Sequence, residues 1–365
     1  MNKLEKGLEV IKKINTAGYS AYIVGGAVRD YLLNKDIIDV DITTNATVEV
    51  ISTLFETIKL DAVKYAGITI LYLEEEFEIT SFRRDISYKD HRHPIVEFVE
   101  NIDDDLIRRD FTMNALIMDL NGNIIDSFNG KQSINEKIIH CIGNPKIRFD
   151  EDGLRVLRAV YFCGKLGFEL DEEIKDSISL VDYVAYLPKE YIKTMLEKIL
   201  ELSNRNGLKY IVEYNILRGF PFYQVLADEC YKYNVSNRDK YALFYSLHNF
   251  LPENERITKE EYKYACSIGN LIRNQFSPIS LYDSKGLYLE YAQELFEKIY
   301  HKVDVIKKYN DLVIHSVSDV DFDFSLLNGK SRSKLQRMII EAVLNKEVEN
   351  SFDSIVKFLK LRRQL

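Results

Sequence analysis

Residues 21–30, AYIVGGAVRD, and residues 39–42, DVDI, decide the fold of the N-terminal region. The first stretch begins with mostly apolar residues of high strand propensity and passes through Gly25-Gly26 into a helical pattern. A glycine pair between a strand and a helix could present backbone N–H groups to the phosphates of a nucleoside triphosphate, and Arg29 would add a positive charge. A tight turn without a ligand has the same sequence, so this motif alone leaves both interpretations open.

The second stretch, residues 39–42, alternates acidic and apolar side chains. On a β-strand this pattern places Asp39 and Asp41 on one face and the apolar residues on the other. Two carboxylates this close repel each other unless a cation lies between them. A pair of divalent ions can hold both the attacking hydroxyl and the leaving pyrophosphate of an in-line displacement. Oxygen ligands favour Mg²⁺, so we expect two magnesium ions here, with Glu78 on a later strand as a third carboxylate. The alternatives are a solvated edge strand and a surface position for Glu78.

The composition of the 365-residue chain is that of a soluble globular protein, with 46% hydrophobic and 29% charged residues. No apolar run is long enough to cross a bilayer and the N-terminal residues lack a secretory pattern, so we expect a cytoplasmic protein without a membrane partner. The four cysteines are widely separated, which predicts reduced thiols rather than disulfides or a zinc site. A net charge of −8 argues against indiscriminate nucleic-acid binding but allows a local basic groove.

Strand and helix signals divide the chain near residue 145. Before this point strand patterns mix with short helices, and after it the patterns are almost entirely helical, so the predicted class is α+β followed by all-α. The first long helix of the C-terminal part is expected to run from Glu151 to a C-terminal cap at Gly167.

Two β-hairpins are predicted in the N-terminal part. The first joins residues 68–73 and 77–82 through an acidic turn. The second joins residues 115–120 and 123–128 through Asn121-Gly122. Because both residues of that pair tolerate positive φ, we expect a type I′ turn there.

A further polar motif, RRDFTMNA at residues 108–115, combines two guanidinium groups with a predicted helix cap. Arg108 and Arg109 could bind phosphates. Asp110 lies one helical turn before Asn114, and such a pair could hydrogen-bond a ribose hydroxyl. A capped helix flanked by surface arginines would have the same sequence.

The segment EDGLRVLR at residues 151–158 has polar side chains at every third position. Asp152, Arg155 and Arg158 therefore share one face of the predicted helix. A carboxylate accepts from the exocyclic amino group of cytosine or adenine, and an arginine donates to the neighbouring ring acceptor. Guanine and uracil present the opposite pattern, so this pair would admit C and A and reject G and U without a template strand. A salt-bridged surface stripe is the alternative.

The glycine turn followed by Asp39 and Asp41 resembles the signature of the polymerase-β-like nucleotidyltransferase superfamily. With the motifs at residues 108–115 and 151–158, in this order and spacing, the chain is similar to the bacterial class II tRNA nucleotidyltransferases, the CCA-adding enzymes. The resemblance is strong over roughly residues 20–200 and general beyond them. It implies a mixed-sheet catalytic head with two metal ions, ribose recognition by residues 108–115 and nucleotide selection by residues 151–155. The implied activity adds C, C and A to tRNA 3′ ends from CTP and ATP.

The resemblance also implies a division of the chain into head (1–145), neck (146–205), body (206–275) and tail (276–365), in which the tail grips tRNA. The basic residues of the tail that could contact tRNA are Lys330, Arg332, Lys334, Arg337, Lys357, Lys360, Arg362 and Arg363. A solvated helix face is the alternative interpretation of each of them taken singly.

Residues 84–94 resemble the family's flexible loop, which is implicated in moving the pocket from CTP to ATP specificity. Asp90 and Arg92 of that loop are present, which favours a full CCA-adding enzyme over a CC-adding relative. The chain departs from the family at Pro188 and Tyr191, where Ser and Arg are common. This departure concerns the packing of the neck helix more than the chemistry.

Other functions remain open from the sequence. A poly(A) polymerase and a specialist that adds only CC or only A share the same core residues, although the short C-terminal region disfavours the former. A catalytically inactive tRNA-binding protein would gain nothing from unpaired buried carboxylates. A small-molecule nucleotidyltransferase would not need the long helical half. Monomer and homodimer also remain open.

Overall fold

The computed structural model describes residues 1–59, 67–88, 94–327 and 332–362. Contacts between residues divide the chain into two units, Met1–Ala227 and Asp228–Leu365. The first unit carries the strands, and the described part of the second is helical. This confirms the predicted α+β class with an all-α C-terminal region. The finer division into head, neck, body and tail stays a prediction.

A mixed sheet forms the centre of the first unit. The strands in chain order are β1 (Ala21–Val24), β2 (Asp41–Thr44), β3 (Glu56–Lys59), β4 (Gly67–Tyr72), β5 (Glu75–Ser81), β6 (Arg83–Tyr88), β7 (Pro94–Phe98), β8 (Ile117–Met118), β9 (Ile124–Ile125), β10 (Ile138–Ile139) and β11 (Glu169–Leu170). The sheet order is β3-β4-β5-β2-β1-β8-β9, in which β2 and β5 are parallel and the other neighbours are antiparallel. Outside this sheet, β6 pairs with β7 antiparallel and β10 pairs with β11 parallel.

The first unit also contains helices on both sides of these strands in the chain order. They are α1 (Lys3–Thr16), α2 (Gly26–Leu32), α3 (Val48–Leu54), α4 (Ile102–Ile107), α5 (Gly130–Glu136), α6 (Pro145–Glu151), α7 (Leu154–Leu166), α8 (Glu172–Leu180), α9 (Lys189–Leu200), α10 (Asn206–Glu213) and α11 (Pro221–Lys232), within which the boundary between the units falls. Helix α1 begins with a capping box between Asn2 and Glu5. It buries Val10, Ile11 and Ile14 and packs on β1.

The two predicted hairpins are present, but their turns differ from expectation. In the β4–β5 hairpin, Leu73 and Glu74 both have positive φ, 50° and 64°, as a type I′ turn requires. In the β8–β9 hairpin only Gly122 has positive φ, so the type I′ prediction for Asn121-Gly122 is wrong. The carboxylate of Asp119 accepts the N–H groups of Asn121 and Asn123 there, and this local hydrogen bonding shapes a longer loop.

The helix expected to begin at Glu151 begins later, at Leu154, as α7. Glu151 is instead the last residue of α6. Asp152 has an extended backbone, with φ −147° and ψ 102°, and separates the two helices. Gly153 follows, and a Cβ added to it would lie 2.1 Å from the carbonyl oxygen of Tyr183. Only glycine allows this approach, so tertiary packing explains the break. Gly167 caps α7 in the left-handed region, as predicted.

The second unit consists of packed helices. They are α12 (Lys240–His248), α13 (Lys259–Arg273), α14 (Pro278–Ser284), α15 (Leu289–Ile299), α16 (Val305–Asn310), α17 (Arg332–Leu344) and α18 (Phe352–Leu361). Short 3₁₀ helices across the chain span Thr112–Asn114, Tyr183–Tyr186, Asn237–Asp239, Val317–Asp319 and Phe324–Leu326. A core around Phe322, Ile339, Ile355 and Leu359 joins α17 and α18 to the preceding loops. Of the helices in the described ranges, none has the length and apolar character to span a membrane. The four cysteines are free thiols, as expected.

Candidate active site

The predicted motifs meet around one cavity of about 700 Å³ in the first unit. The predicted residues that line it are Gly25, Gly26, Arg29, Asp39, Asp41, Arg108, Arg109, Asp110, Asn114, Asp152, Arg155 and Arg158. Lining residues that no motif indicated include Lys35, Asp36, Tyr161, Phe162 and Lys165. Asp90 and Arg92 lie outside the residues that the structure describes, so their predicted role as a specificity switch stays a prediction.

The glycine turn joins β1 to α2 at the edge of this cavity. Gly25 has a φ of 73°, which favours glycine. Its N–H donates to the carbonyl of Leu116 (3.2 Å), so this N–H is used within the fold. A Cβ added to Gly25 would lie 3.6 Å from Nη1 of Arg109. This distance is an ordinary van der Waals contact, so the positive φ, rather than a lack of space, is the reason for glycine at position 25.

The two aspartates follow the alternation that the sequence predicted, although β2 begins only at Asp41. Val40 and Ile42 are buried, whereas Asp39 and Asp41 are exposed. In the parallel pairing of β2 and β5, Glu78 is the register partner of Asp41. Partners in register project from the same face of a sheet, so Glu78 lies beside Asp41 as the third carboxylate.

The surroundings of Asp41 disfavour its negative charge. Although its side chain opens onto the cavity, loss of water raises the pKa of Asp41 most, followed by the charge of Glu78. Asp39 raises this pKa further, and Arg109 and Lys3 oppose the shift. A divalent cation relieves this kind of repulsion, and oxygen donors fit Mg²⁺.

Asp39 is strongly exposed and has a cationic neighbour. Its side chain is 83% exposed, and the ammonium of Lys3 lies 3.5 Å from its Oδ1. Across residues 1–59, 67–88, 94–327 and 332–362, no three His, Cys, Asp or Glu side chains form a preassembled metal cluster.

Arg29, predicted to bind phosphate, is 3% exposed and lies within the wall of the cavity. Its Nε donates to Asp30 (2.9 Å) and its Nη1 to the side-chain oxygen of Asn114 (2.7 Å). Phe162 packs 5.2 Å from the guanidinium carbon. Arg29 thus joins α2 to the residue 108–115 motif, and this role was not evident in the sequence.

A buried carboxylate that the sequence analysis missed organises the two adjacent arginines. Asp105 is fully buried and accepts from Arg108 Nη2 (2.7 Å), Arg109 Nη2 (3.1 Å) and Thr43 Oγ1 (3.3 Å). Burial alone would raise the pKa of Asp105, but the two guanidinium groups hold it below its ordinary value. Arg108 and Arg109 follow Asp105 by three and four residues, and this helical spacing was the signal available in the sequence.

The predicted ribose pair, Asp110 and Asn114, forms one hydrogen-bonded unit with Arg158. The Asn114 amide donates to Asp110 Oδ1 (3.0 Å), and Arg158 Nε donates to Asp110 Oδ2 (2.6 Å). Burial would raise the pKa of Asp110, but Arg158 and these hydrogen bonds hold it low. Arg158, predicted to select the base, therefore contacts the predicted ribose motif. The ring of Phe162 packs against the guanidinium groups of both Arg29 and Arg158.

Arg155 is the most completely engaged arginine of the cavity wall. Its Nη1 donates to Glu151 and to the carbonyl of Arg148, both at 2.8 Å. Its Nη2 donates to the Tyr88 hydroxyl (2.9 Å) and to the carbonyl of Arg108 (3.2 Å). The terminal N–H groups of Arg155 are thus all used within the protein.

Two residues complete the surroundings of Arg155. The Tyr88 hydroxyl donates in turn to Asp85 Oδ2 (2.5 Å), so β6 takes part in holding Arg155. Asp152 lies between α6 and α7, and its carboxylate accepts the N–H of Leu154 (3.0 Å). The prediction that Asp152, Arg155 and Arg158 share one helix face holds only for the two arginines, which lie on α7, because Asp152 precedes that helix. All three side chains still line the cavity.

The remaining predictions concern residues away from this cavity. Helix α9 begins directly after Pro188, so the departure from the family motif is compatible with a helix there. In the second unit, Arg337 pairs with Asp283 and Glu341. Lys330 and Arg363 lie outside the described residues, and contact of the basic tail residues with tRNA stays a prediction.

Comparison with known proteins gives a consistent result. A family model for the poly(A) polymerase head domain matches residues 21–140. The CCA-adding enzyme of Oceanobacillus iheyensis is 33% identical over 275 residues, which cover 74% of this chain and 68% of that enzyme. The chain belongs to the CCA-adding enzyme family.

Other members of the family match over shorter segments or through structure. The CCA-adding enzyme of Lactobacillus helveticus is 44% identical over 195 residues, 52% of this chain. The chain spans 49% of the length of that relative, about half of it. A crystal structure of the Bacillus stearothermophilus CCA-adding enzyme in complex with CTP matches 100% of this chain and 98% of that one, with a TM-score of 0.73 and 26% identity.

Proposed function

We propose that this protein adds C, C and A to the 3′ end of tRNA from CTP and ATP without a nucleic-acid template. Each step joins the tRNA 3′ oxygen to the α-phosphorus of a nucleoside triphosphate and releases pyrophosphate. The observation that carries the proposal is a single cavity with neighbouring carboxylates on one side and fixed arginines and the Asp152 carboxylate on the other. The family relationship and the CTP complex of the B. stearothermophilus enzyme support it.

Asp39 and Asp41, with Glu78 beside them, would hold two Mg²⁺ ions. Bound divalent ions supply charge stabilisation for the attacking and leaving oxygens of phosphoryl-type transfer. The protein's own contribution is placement: β2 and β5 fix Asp41 and Glu78 in register, and Arg109 lies between Asp105 and Asp41. The electropositive side formed by Arg108 and Arg109 suits the triphosphate.

The base would lie between Asp152 and Arg155. Asp152 offers a carboxylate oxygen to the amino group of cytosine or adenine, and the Nε–H of Arg155 can face the ring acceptor. Because Arg155 is held by Glu151, Tyr88 and two carbonyls, it cannot move freely to accommodate guanine or uracil. Asp110 and Asn114 would contact the ribose next to Arg158.

The test uses tRNA lacking one, two or three terminal nucleotides, each NTP separately, and product sizing on a gel. We expect C, C and A to be added in order and no comparable use of UTP or GTP. Asp41→Asn should reduce incorporation by about a thousandfold, since several kcal/mol of charge stabilisation are lost. Asp36→Asn, at the edge of the same cavity, is the matched control and should retain activity.

The outcomes separate the related functions. Repeated addition of A alone would indicate a poly(A) polymerase, and a product that stops after CC or after A would indicate a specialist. An Asp41→Asn protein that extends tRNA at the wild-type rate would contradict the assignment of the catalytic carboxylates. Binding of tRNA without any extension would indicate an inactive binding protein.

A further inference from the structure

Helix α1 packs directly behind the residues that carry the two aspartates. A Cβ added to Gly7 would lie 2.8 Å from Cγ1 of Val40, the residue between Asp39 and Asp41. A larger side chain at position 7 would push the helix away, so the glycine sets this close approach. The first turn of α1 is thereby fixed beside the proposed metal ligands.

Lys3 lies four residues before Gly7 and therefore on the same face of α1. Its Nζ is 3.5 Å from Oδ1 of Asp39 and 4.0 Å from Oε2 of Glu75, and its side chain is 20% exposed. Lys6, on the next turn, has its Nζ 3.3 Å from Oε1 of Glu75 and 3.0 Å from the carbonyl oxygen of Leu73. Lys3 thus has two carboxylates within reach, and one of them is a proposed metal ligand.

An ammonium group and a divalent ion compete for the same carboxylate. Asp39 has an exposed side chain and is approached by Lys3, so a metal ion that uses Asp39 must replace this contact. Glu75 offers the displaced ammonium a second partner within 4.0 Å.

We propose that Lys3 is a positioning residue that neutralises Asp39 in the metal-free protein and transfers to Glu75 when a divalent ion binds. The inference rests on the proposed function because it takes Asp39 as a metal ligand. Its consequence is that Lys3 weakens metal binding, while Glu75 limits that weakening by accepting the ammonium. The first turn of α1 therefore tunes the affinity for the ion from outside the ligand set.

The experiment measures Mn²⁺ binding to the full chain without nucleotide or tRNA, by the loss of the free-ion electron paramagnetic resonance signal. Lys3→Met should bind Mn²⁺ about two- to fivefold more tightly than wild type, the range expected for removing one partly exposed charge pair. Lys6→Met is the matched control, since Lys6 lies on the same helix and contacts Glu75, and its affinity should stay within about 1.5-fold of wild type. Equal affinity of wild type and Lys3→Met would overturn the inference.

A double-mutant cycle tests the transfer itself. Glu75→Gln removes the second partner of Lys3, so it should weaken Mn²⁺ binding in the wild-type background by about two- to fivefold. In the Lys3→Met background the same change should have a clearly smaller effect. Equal effects in the two backgrounds would mean that Glu75 acts only through its charge, which contradicts transfer.

Asp39→Asn separates failure of this inference from failure of the proposed function. In that variant, Lys3→Met should change the weakened Mn²⁺ affinity by a clearly smaller factor than it does in the wild-type background, because the contact with Asp39 is already lost. If wild type has no Mn²⁺ site that depends on Asp39, both the assignment of the metal ligands and this inference are wrong. If the Asp39-dependent site is present but Lys3→Met leaves its affinity unchanged, the inference alone falls.

Discussion

The two sides of the cavity differ in how their charged groups are held. On the basic side, Arg109 is bonded to buried Asp105, Arg158 to Asp110, and Arg155 to Glu151, Tyr88 and backbone carbonyls. On the acidic side, Asp41 and Glu78 face each other from paired strands, and exposed Asp39 is approached by Lys3. The charges of the basic side are therefore paired within the protein, whereas Asp41 and Glu78 on the acidic side repel each other.

Because of this difference, we expect the basic side to affect the stability of the fold and the acidic side to affect mainly the chemical step. Arginines fixed by carboxylates keep one orientation, which would lower the entropy lost when the proposed nucleotide substrate binds. Carboxylates that repel each other destabilise the fold locally, and they become favourable only when a cation arrives. Changes on the basic side should therefore alter stability and selectivity. Changes on the acidic side should abolish activity while preserving or slightly raising stability.

The largest effect on stability is expected at Asp105. Asp105→Asn removes the buried carboxylate that the partly buried Arg108 and Arg109 share, and breaking such an ion pair costs up to about 3–5 kcal/mol. The measurement is the free energy of unfolding of the first unit in urea. Asp104→Asn, on the same helix but only partly buried, is the control and should cost less than about 1 kcal/mol. Equal losses in the two variants would show that the basic side does not depend on Asp105.

A pH experiment gives the next largest effect. The pKa of Asp110 is lower in the folded protein than in the unfolded chain, because Arg158 and two hydrogen bonds outweigh burial. The contribution of Asp110 to the free energy of unfolding is therefore complete above its unfolded pKa of about 4. This contribution is lost as the pH falls from there through the lower pKa of Asp110 in the folded protein. Wild type should lose stability from about pH 4 downward.

The variant that isolates this contribution is Asp110→Asn. It should be less stable than wild type at pH 7 by roughly 1.5–3 kcal/mol, the usual range for hydrogen bonds to a charged group. The difference between the two proteins should shrink as the pH falls below 4, measured by urea unfolding at each pH. A difference that stays constant down to pH 2 would mean that the charge of Asp110 does not carry the effect.

The sequence predicted the acidic side better than the basic side. The alternation of acidic and apolar residues from Asp39 to Ile42 is a local property, and the burial of Val40 and Ile42 follows it directly. The glycine turn, the two hairpins and the cap at Gly167 also depend on local chemistry.

Partners within the basic side could not be predicted because they depend on tertiary contacts. Nothing local to Arg155 indicates Tyr88, which is 67 residues away in the chain. The close approach of Gly153 to the carbonyl of Tyr183, next to the break at Asp152, is a tertiary contact, and the turn at Leu73-Glu74 is imposed by strand pairing against the preferences of both residues. Asp105 had a usable signal, since its distance from Arg108 and Arg109 matches helical spacing.

The smallest predicted effect tests whether the hydrogen bond between Tyr88 and Arg155 is needed to orient Arg155. Tyr88→Phe removes the hydroxyl that joins Asp85 to Arg155 and leaves the ring in place. Losing one such hydrogen bond costs about 1 kcal/mol, so discrimination against UTP should fall about fivefold if the bond acts mainly to orient Arg155. The measurement is the ratio of kcat/KM for CTP and UTP on tRNA lacking its terminal nucleotides.

The outcome distinguishes orientation from general stabilisation. Tyr72→Phe, a partly buried tyrosine on β4 that packs on Phe55, serves as the control and should leave the CTP to UTP ratio unchanged. If Tyr88→Phe lowers kcat/KM equally for both nucleotides, the hydroxyl supports the fold but not selection. An unchanged ratio and unchanged rates would mean that Glu151 and the two carbonyls suffice to hold Arg155. A selective gain for UTP would instead show that base discrimination depends on a residue of β6, far from the nucleotide-selecting motif in the chain.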